Sequence, residues 1–122
     1  MRITVIGPGA IGCLLAAYLA RAGEKVCLLD YRPERAAQIQ EEGINVETEK
    51  GAFHTPIKAT ANPAELRSVK MFLLCVKAGD TVAATSRLKG IIPPQTYFLS
   101  LQNGLGNVEK LGELFGEERV FA

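Results

Sequence analysis

From Ile3 to Ala20 the chain carries no charged side chain, and Gly7, Pro8, Gly9 and Gly12 stand inside that run. An uncharged stretch preceded by Arg2 has the outline of a signal peptide or a membrane span. The glycines and the proline argue against both, because they would break a continuous helix and leave backbone groups without partners in lipid. The run parses better as a strand over 2–6, rich in β-branched residues, then a tight turn, then a helix. In that helix Ile11, Leu14, Leu15, Tyr18, Leu19 and Ala22 recur at helical spacing, and Gly23 ends it.

The turn reads Gly7-Pro8-Gly9-Ala10-Ile11-Gly12, a full G-x-G-x-x-G. Each glycine has a separate reason to be there. Gly7 permits the turn, Gly9 lets backbone approach a pyrophosphate with no side chain between, and Gly12 lets the helix pack close to the strand. The free N–H groups of the helix start would then face the phosphate charge. Three glycines alone are weak evidence, but these follow a strand and open a helix. They are also followed by a second apolar strand, Lys25 to Leu29, that ends at Asp30, about 18 residues beyond Gly12 and near the ~20 of the dinucleotide fingerprint.

Alternation of strand and helix continues along the chain. Pro33 opens a helix that Gly43 closes. From Ile44 to Thr60 apolar and polar residues alternate about Lys50-Gly51, which predicts an antiparallel hairpin inserted into the series. A helical turn near Pro63 to Leu66 leads to a buried strand, Met71 to Val76. A helix from Thr81 to Leu88 capped by Asp80, a strand from Thr96 to Leu101, and a helix begun by Asn107 and ended by Gly116 follow, and Val120 to Ala122 starts a further strand. Such a series implies an α/β fold with a doubly wound parallel sheet, helices on both faces, and ligands bound beyond the carboxyl ends of the strands.

Composition narrows the function classes. The 122 residues make one domain and leave no room for a complete two-domain enzyme. Fourteen basic residues against thirteen acidic ones, scattered singly, lack the clustered cations that displace phosphate counterions, so nucleic acid is not an expected partner. Cys13, Cys27 and Cys75 show no C-x-x-C spacing and are flanked by apolar residues. They are predicted to be reduced, buried, small hydrophobes in a cytoplasmic protein with no membrane association. His54 has no cysteine or carboxylate spaced to make it a metal ligand or relay, and is expected to be a hairpin residue. No metal site is predicted.

The residues after each strand are the candidate site. Asp30 can accept from the ribose hydroxyls of NAD, but it repels the additional phosphate of NADP. Arg32, with Arg35 one turn on, can instead clamp that phosphate or stack on adenine, or both arginines can simply be the solvated start of a helix. Lys77, after the strand begun at Met71, either donates into the cleft or is an exposed loop lysine. Asn103, in Gln102-Asn103-Gly104, either holds a carboxamide or substrate oxygen or belongs to a plain turn.

Taken together, MRITVIGPGAIG, LLDYRPERA, LLCVKA and LQNGLGN resemble the N-terminal domain of the ketopantoate reductase (2-dehydropantoate 2-reductase) family, over essentially the whole chain. The resemblance implies a Rossmann-type fold and NADPH-dependent reduction of a 2-oxo acid, 2-dehydropantoate, to a hydroxy acid in pantothenate and coenzyme A biosynthesis. It matches Gly7, Pro8, Gly9, Ala10, Ile11 and Gly12 to the phosphate loop and Arg32 to the family's basic residue. Lys77 and Asn103 match polar residues lining the cofactor and substrate cleft. Asp30 leaves NAD open as the cofactor. The resemblance also implies a helical second domain, absent from these 122 residues, that carries the proton-donor lysine. No catalytic residue is therefore expected here; the chain alone is expected to be inactive, and the parent protein homodimeric. Two other readings stand beside it: the cofactor domain of another two-domain dehydrogenase, and a regulatory module that senses NAD(H).

Overall fold

Short β-branched and leucine-rich segments between glycine-bearing turns form strands here because their side chains can be buried on both faces of a sheet. The protein is described by a computed structural model over residues 2–7, 9–66, 69–75, 85–93, 95–101 and 107–121. In chain order the elements are β1 (Arg2–Ile6), α1 (Ala10–Arg21), β2 (Lys25–Leu29), α2 (Pro33–Glu42), β3 (Ile44–Thr48) and β4 (Gly51–Thr55). There follow β5 (Lys58–Thr60), β6 (Met71–Leu74), β7 (Tyr97–Ser100), α3 (Asn107–Phe115) and β8 (Val120–Phe121).

Six strands form one sheet in the order β5-β2-β1-β6-β7-β8, and every neighbouring pair is parallel. The chain leaves β1 toward one edge through β2 and β5. It then returns across the sheet to β6, so the strand order reverses beside β1, where ligands of such sheets collect. The pleat of β1 sends Ile3 and Val5 to a core shared with Ala16 and Ala17 of α1, and sends Ile6 to a second core with Phe72, Phe98 and Leu111. Two cores on opposite faces make the sheet doubly wound, as expected. In the second core the Phe98 ring stacks on Phe72 at 5.3 Å and on Phe115 at 4.3 Å between centroids. Arg119 ties that region together, donating from Nε to the Thr96 carbonyl (2.8 Å), from Nη1 to Phe115 (3.2 Å) and from Nη2 to Pro93 (3.1 Å).

The inserted hairpin is present as β3 and β4, paired from Ile44 with Thr55 to Thr48 with Gly51. Its bounds differ from the sequence expectation in two ways. The turn lies on Glu49 and Lys50, and Gly51, at φ +128°, already begins β4. Lys58 to Thr60 leave the hairpin and pair with β2 as the edge strand of the main sheet. An outer amide of this edge is covered, since the Ala59 N–H donates to Gln40 Oε1 at 2.8 Å. His54 is a hairpin residue, its Nδ1 2.7 Å from Asn45 Oδ1 on the facing strand.

The buried face of α1 is not the one its larger residues suggest. Gly12, Ala16 and Ala17 are buried, whereas Ile11, Leu14 and Tyr18 are exposed. The helix lies too close to the sheet for large side chains to fit beneath it. Tyr18 instead meets the hairpin, edge-to-face with Phe53 at 5.4 Å. Cys13, Cys27 and Cys75 are half-buried, not buried as the sequence suggests. Most of the helix expected from Thr81 to Leu88 lies outside the described residues. Its end is a 3-10 turn over Ser86–Leu88, with Leu88 fully buried. Among the described residues no helix is long and apolar enough to cross a membrane.

Candidate dinucleotide site

The end of β1 delivers the chain to Gly7, whose φ of +103° is the region that favours glycine. Gly9 precedes α1 with extended backbone and offers no side-chain cap. The first bond of the helix runs from the Cys13 N–H to the Gly9 carbonyl at 2.9 Å. The amides of Ala10, Ile11 and Gly12 come before it and have no carbonyl of their own helix to bond.

The two remaining glycines have opposite surroundings. A Cβ placed on Gly9 would meet nothing within 4 Å, so the turn has an open side. A Cβ placed on Gly12 would lie 1.9 Å from the Gly7 carbonyl oxygen and 3.5 Å from Cys75 Cβ. Gly12 is therefore the residue through which α1 rests on the turn. Open donors, an unobstructed approach and a helix start with no acidic residue in its first turn make a ready anion cradle. Ile11, 64% exposed, stands at its mouth.

At the end of β2, Asp30 is only 3% exposed. Its N–H donates to the Thr60 carbonyl at 3.0 Å, which fixes the backbone against β5. Its carboxylate is filled from three directions. The Arg32 N–H donates to Oδ1 at 3.0 Å, Arg35 Nη2 donates to the same oxygen at 3.0 Å, and Arg35 Nε donates to Oδ2. This two-pronged pair is the strong form of an arginine–carboxylate contact. Asp30 in turn holds the Arg35 guanidinium further above its ordinary pKa, although Arg35 is 45% exposed.

Arg35 is thus committed to Asp30 and does not stand with Arg32 as a second phosphate clamp. The Arg32 side chain is exposed and makes no hydrogen bond or ion pair with the described residues. Nearby, the Arg87 guanidinium lies 4.5 Å from the centre of the Tyr31 ring. Burial pushes the Cys13 thiol up, with Arg35 pulling it down more weakly, so no thiolate forms beside the turn at neutral pH. Among the described residues no cluster of His, Cys, Asp or Glu could hold a metal ion.

The structure brings Gly7, Gly9, Ala10, Ile11 and Gly12 together at the carboxyl end of β1, with Asp30 and Arg32 at the end of the neighbouring β2. Pro8, Lys77 and Asn103 lie outside the described residues. The Asp30–Arg35 pair went unread in the sequence. Its signal was an arginine one turn into a helix that starts just after a buried strand.

A glycine turn between the central strand and the first helix of a doubly wound parallel sheet defines the Rossmann-type class of nucleotide-binding folds. The family described as "Ketopantoate reductase PanE/ApbA" matches residues 3–122, and the chain belongs to it. It is 33% identical over 121 residues to the 2-dehydropantoate 2-reductase of Aquifex aeolicus (strain VF5), covering 98% of this chain and 37% of that protein. Among solved structures, the PanE/ApbA family ketopantoate reductase from Ralstonia eutropha JMP134 superposes with a TM-score of 0.87 at 33% identity, covering 95% of this chain and 39% of that one. The 2-dehydropantoate 2-reductase from Geobacter metallireducens GS-15 gives 0.86 at 35% identity, covering 98% and 40%. The chain spans well under half the length of the relatives it matches.

Proposed function

We propose that this chain is the cofactor-binding domain of an NADPH-dependent 2-dehydropantoate 2-reductase, an enzyme of pantothenate and coenzyme A biosynthesis. Bound nicotinamide would supply the hydride that converts the ketone of the 2-oxo acid to an alcohol. The residues of this chain bind and orient. The amides at the start of α1 receive the pyrophosphate, Gly9 keeps the approach clear, and Lys77 and Asn103 are the residues that the family resemblance assigns to the cofactor and substrate cleft. The proton donor belongs to a second, helical domain beyond these 122 residues, so the isolated chain binds the dinucleotide without turning over ketopantoate.

The observation that carries the choice of cofactor is the occupied carboxylate of Asp30. A ribose hydroxyl would have to compete with two guanidinium donors and a backbone amide for its oxygens. With Asp30 neutralised by Arg35, the exposed Arg32 is the open cation at this strand end and suits a 2′-phosphate. In a fluorescence titration of the 122-residue chain, Arg32→Ala is expected to weaken NADPH roughly 10- to 100-fold, the worth of one charged hydrogen bond, and NADH by less than about twofold. Arg35→Ala frees Asp30 and should narrow the preference from both sides. Equal loss for the two cofactors in Arg32→Ala would overturn the assignment of the phosphate to Arg32.

A further inference from the structure

Tyr31 stands between Asp30 and Arg32, just past the end of β2, and its half-buried ring packs on the core that contains Ile6, Leu66 and Phe98. That core lies on the face of the sheet opposite α1, whose Ala16 and Ala17 pack on the other core. On the same side as Tyr31, the 3-10 turn over Ser86–Leu88 is anchored by the fully buried Leu88, a member of the same core. The anchor carries its neighbour Arg87 to the end of β2, where the guanidinium lies 4.5 Å from the centre of the Tyr31 ring.

Arg87 is exposed and makes no hydrogen bond or ion pair with the described residues. A guanidinium is planar and stacks on aromatic faces. With the Tyr31 ring on one side, that of Arg87 presents its other side to solvent, where a second flat ring can lie. A dinucleotide brings such a ring to this place. If its pyrophosphate meets the start of α1 and its ribose the end of β2, the adenine continues past the strand end. Arg35, whose charge is felt at Cys13 of α1, fills the α1 side of the Asp30 carboxylate. This leaves the base the side of Tyr31 and Arg87.

We propose that Arg87, held in place by Tyr31, is the residue on which the adenine stacks, a determinant of affinity for the adenosine half that is indifferent to the 2′-phosphate. The proposal rests on the dinucleotide reading above and extends it to a residue outside the glycine turn and the end of β2. Recognition is then divided between two arginines. Arg32 reads the phosphate that distinguishes NADPH, and Arg87 reads the base that both cofactors share.

The test is a fluorescence titration of the 122-residue chain with NADPH and with NADH, followed by displacement of NADH by 5′-AMP. Arg87→Ala is expected to weaken all three ligands about tenfold, the worth of one base stack, and to leave the Tm unchanged because the side chain is exposed. Arg87→Lys keeps the charge without the plane and should lose as much. Tyr31→Leu removes the support while keeping the core filled, and should weaken the three ligands equally, by about threefold or more. A loss confined to NADPH and rescued by Arg87→Lys would make Arg87 a phosphate ligand and overturn the stack. Unchanged binding in Arg87→Ala overturns it as well, and leaves the dinucleotide reading standing. If the wild-type chain binds neither dinucleotide, that reading itself fails and the stack falls with it.

Discussion

Gly12→Ala is expected to destabilise the chain by about 3 kcal/mol and to weaken dinucleotide binding by more than about 100-fold. The added Cβ would stand 1.9 Å from the Gly7 carbonyl oxygen, a backbone atom that cannot rotate aside. Either α1 lifts from the turn or the turn opens. Both shifts carry the amides of Ala10, Ile11 and Gly12 away from their common focus. Gly9→Ala is the informative contrast, because its Cβ meets nothing within 4 Å and its φ of −69° is one that alanine adopts freely. It should change stability by less than about 0.5 kcal/mol while obstructing the approach of phosphate. Urea denaturation and cofactor fluorescence on the two variants separate packing from binding. Wild-type stability in Gly12→Ala would mean that α1 does not rest on Gly7 as described.

The second large effect is expected in the other core. Phe98 is fully buried and stacks on both Phe72 and Phe115, with the Arg119 guanidinium 5.9 Å from its ring centre. Phe98→Ala removes those contacts and leaves a cavity beneath α3, at a cost of about 4 kcal/mol. Domains of this size have only about 5 to 15 kcal/mol of stability, so the variant would sit near its folding threshold. In urea the midpoint should fall sharply with the m value unchanged. Phe98→Leu keeps most of the volume and should lose less than half as much. Equal losses in both variants would indicate that ring stacking, not filled space, dominates there.

The parts of the fold legible in sequence were those where one local signal decides the outcome. A β-branched segment ending in glycines gave β1 and the turn, and Pro33 and Gly43 bracketed α2. Alternation of apolar and polar residues located the hairpin. Elsewhere the deciding interaction lies outside the segment. The helical period of α1 was correct, but its apolar residues nearly encircle the helix, and only the close approach at Gly12 selects the small face for burial. Strand β5, three residues long, is defined by β2 beside it, and its own sequence merely continues the hairpin pattern. The candidate site divides in the same way. The reasons for Gly7, Gly9 and Gly12 could be argued from the motif, and the geometry at each position has that form. That the Asp30 carboxylate is already paired could not be read from spacing, because the partner is a side chain on the first turn of α2 that meets the end of a strand.

That contact also bears on how the chain can change. Arg35 belongs to α2, and its grip on Asp30 fastens the helix to the sheet at the same atoms that a ribose would need. On the cofactor reading proposed above, dinucleotide preference and this attachment of α2 are therefore linked. Gln40 on the Ala59 amide and the buried Ala36 hold the rest of the helix, so a substitution at Arg35 can release the carboxylate while α2 stays in place.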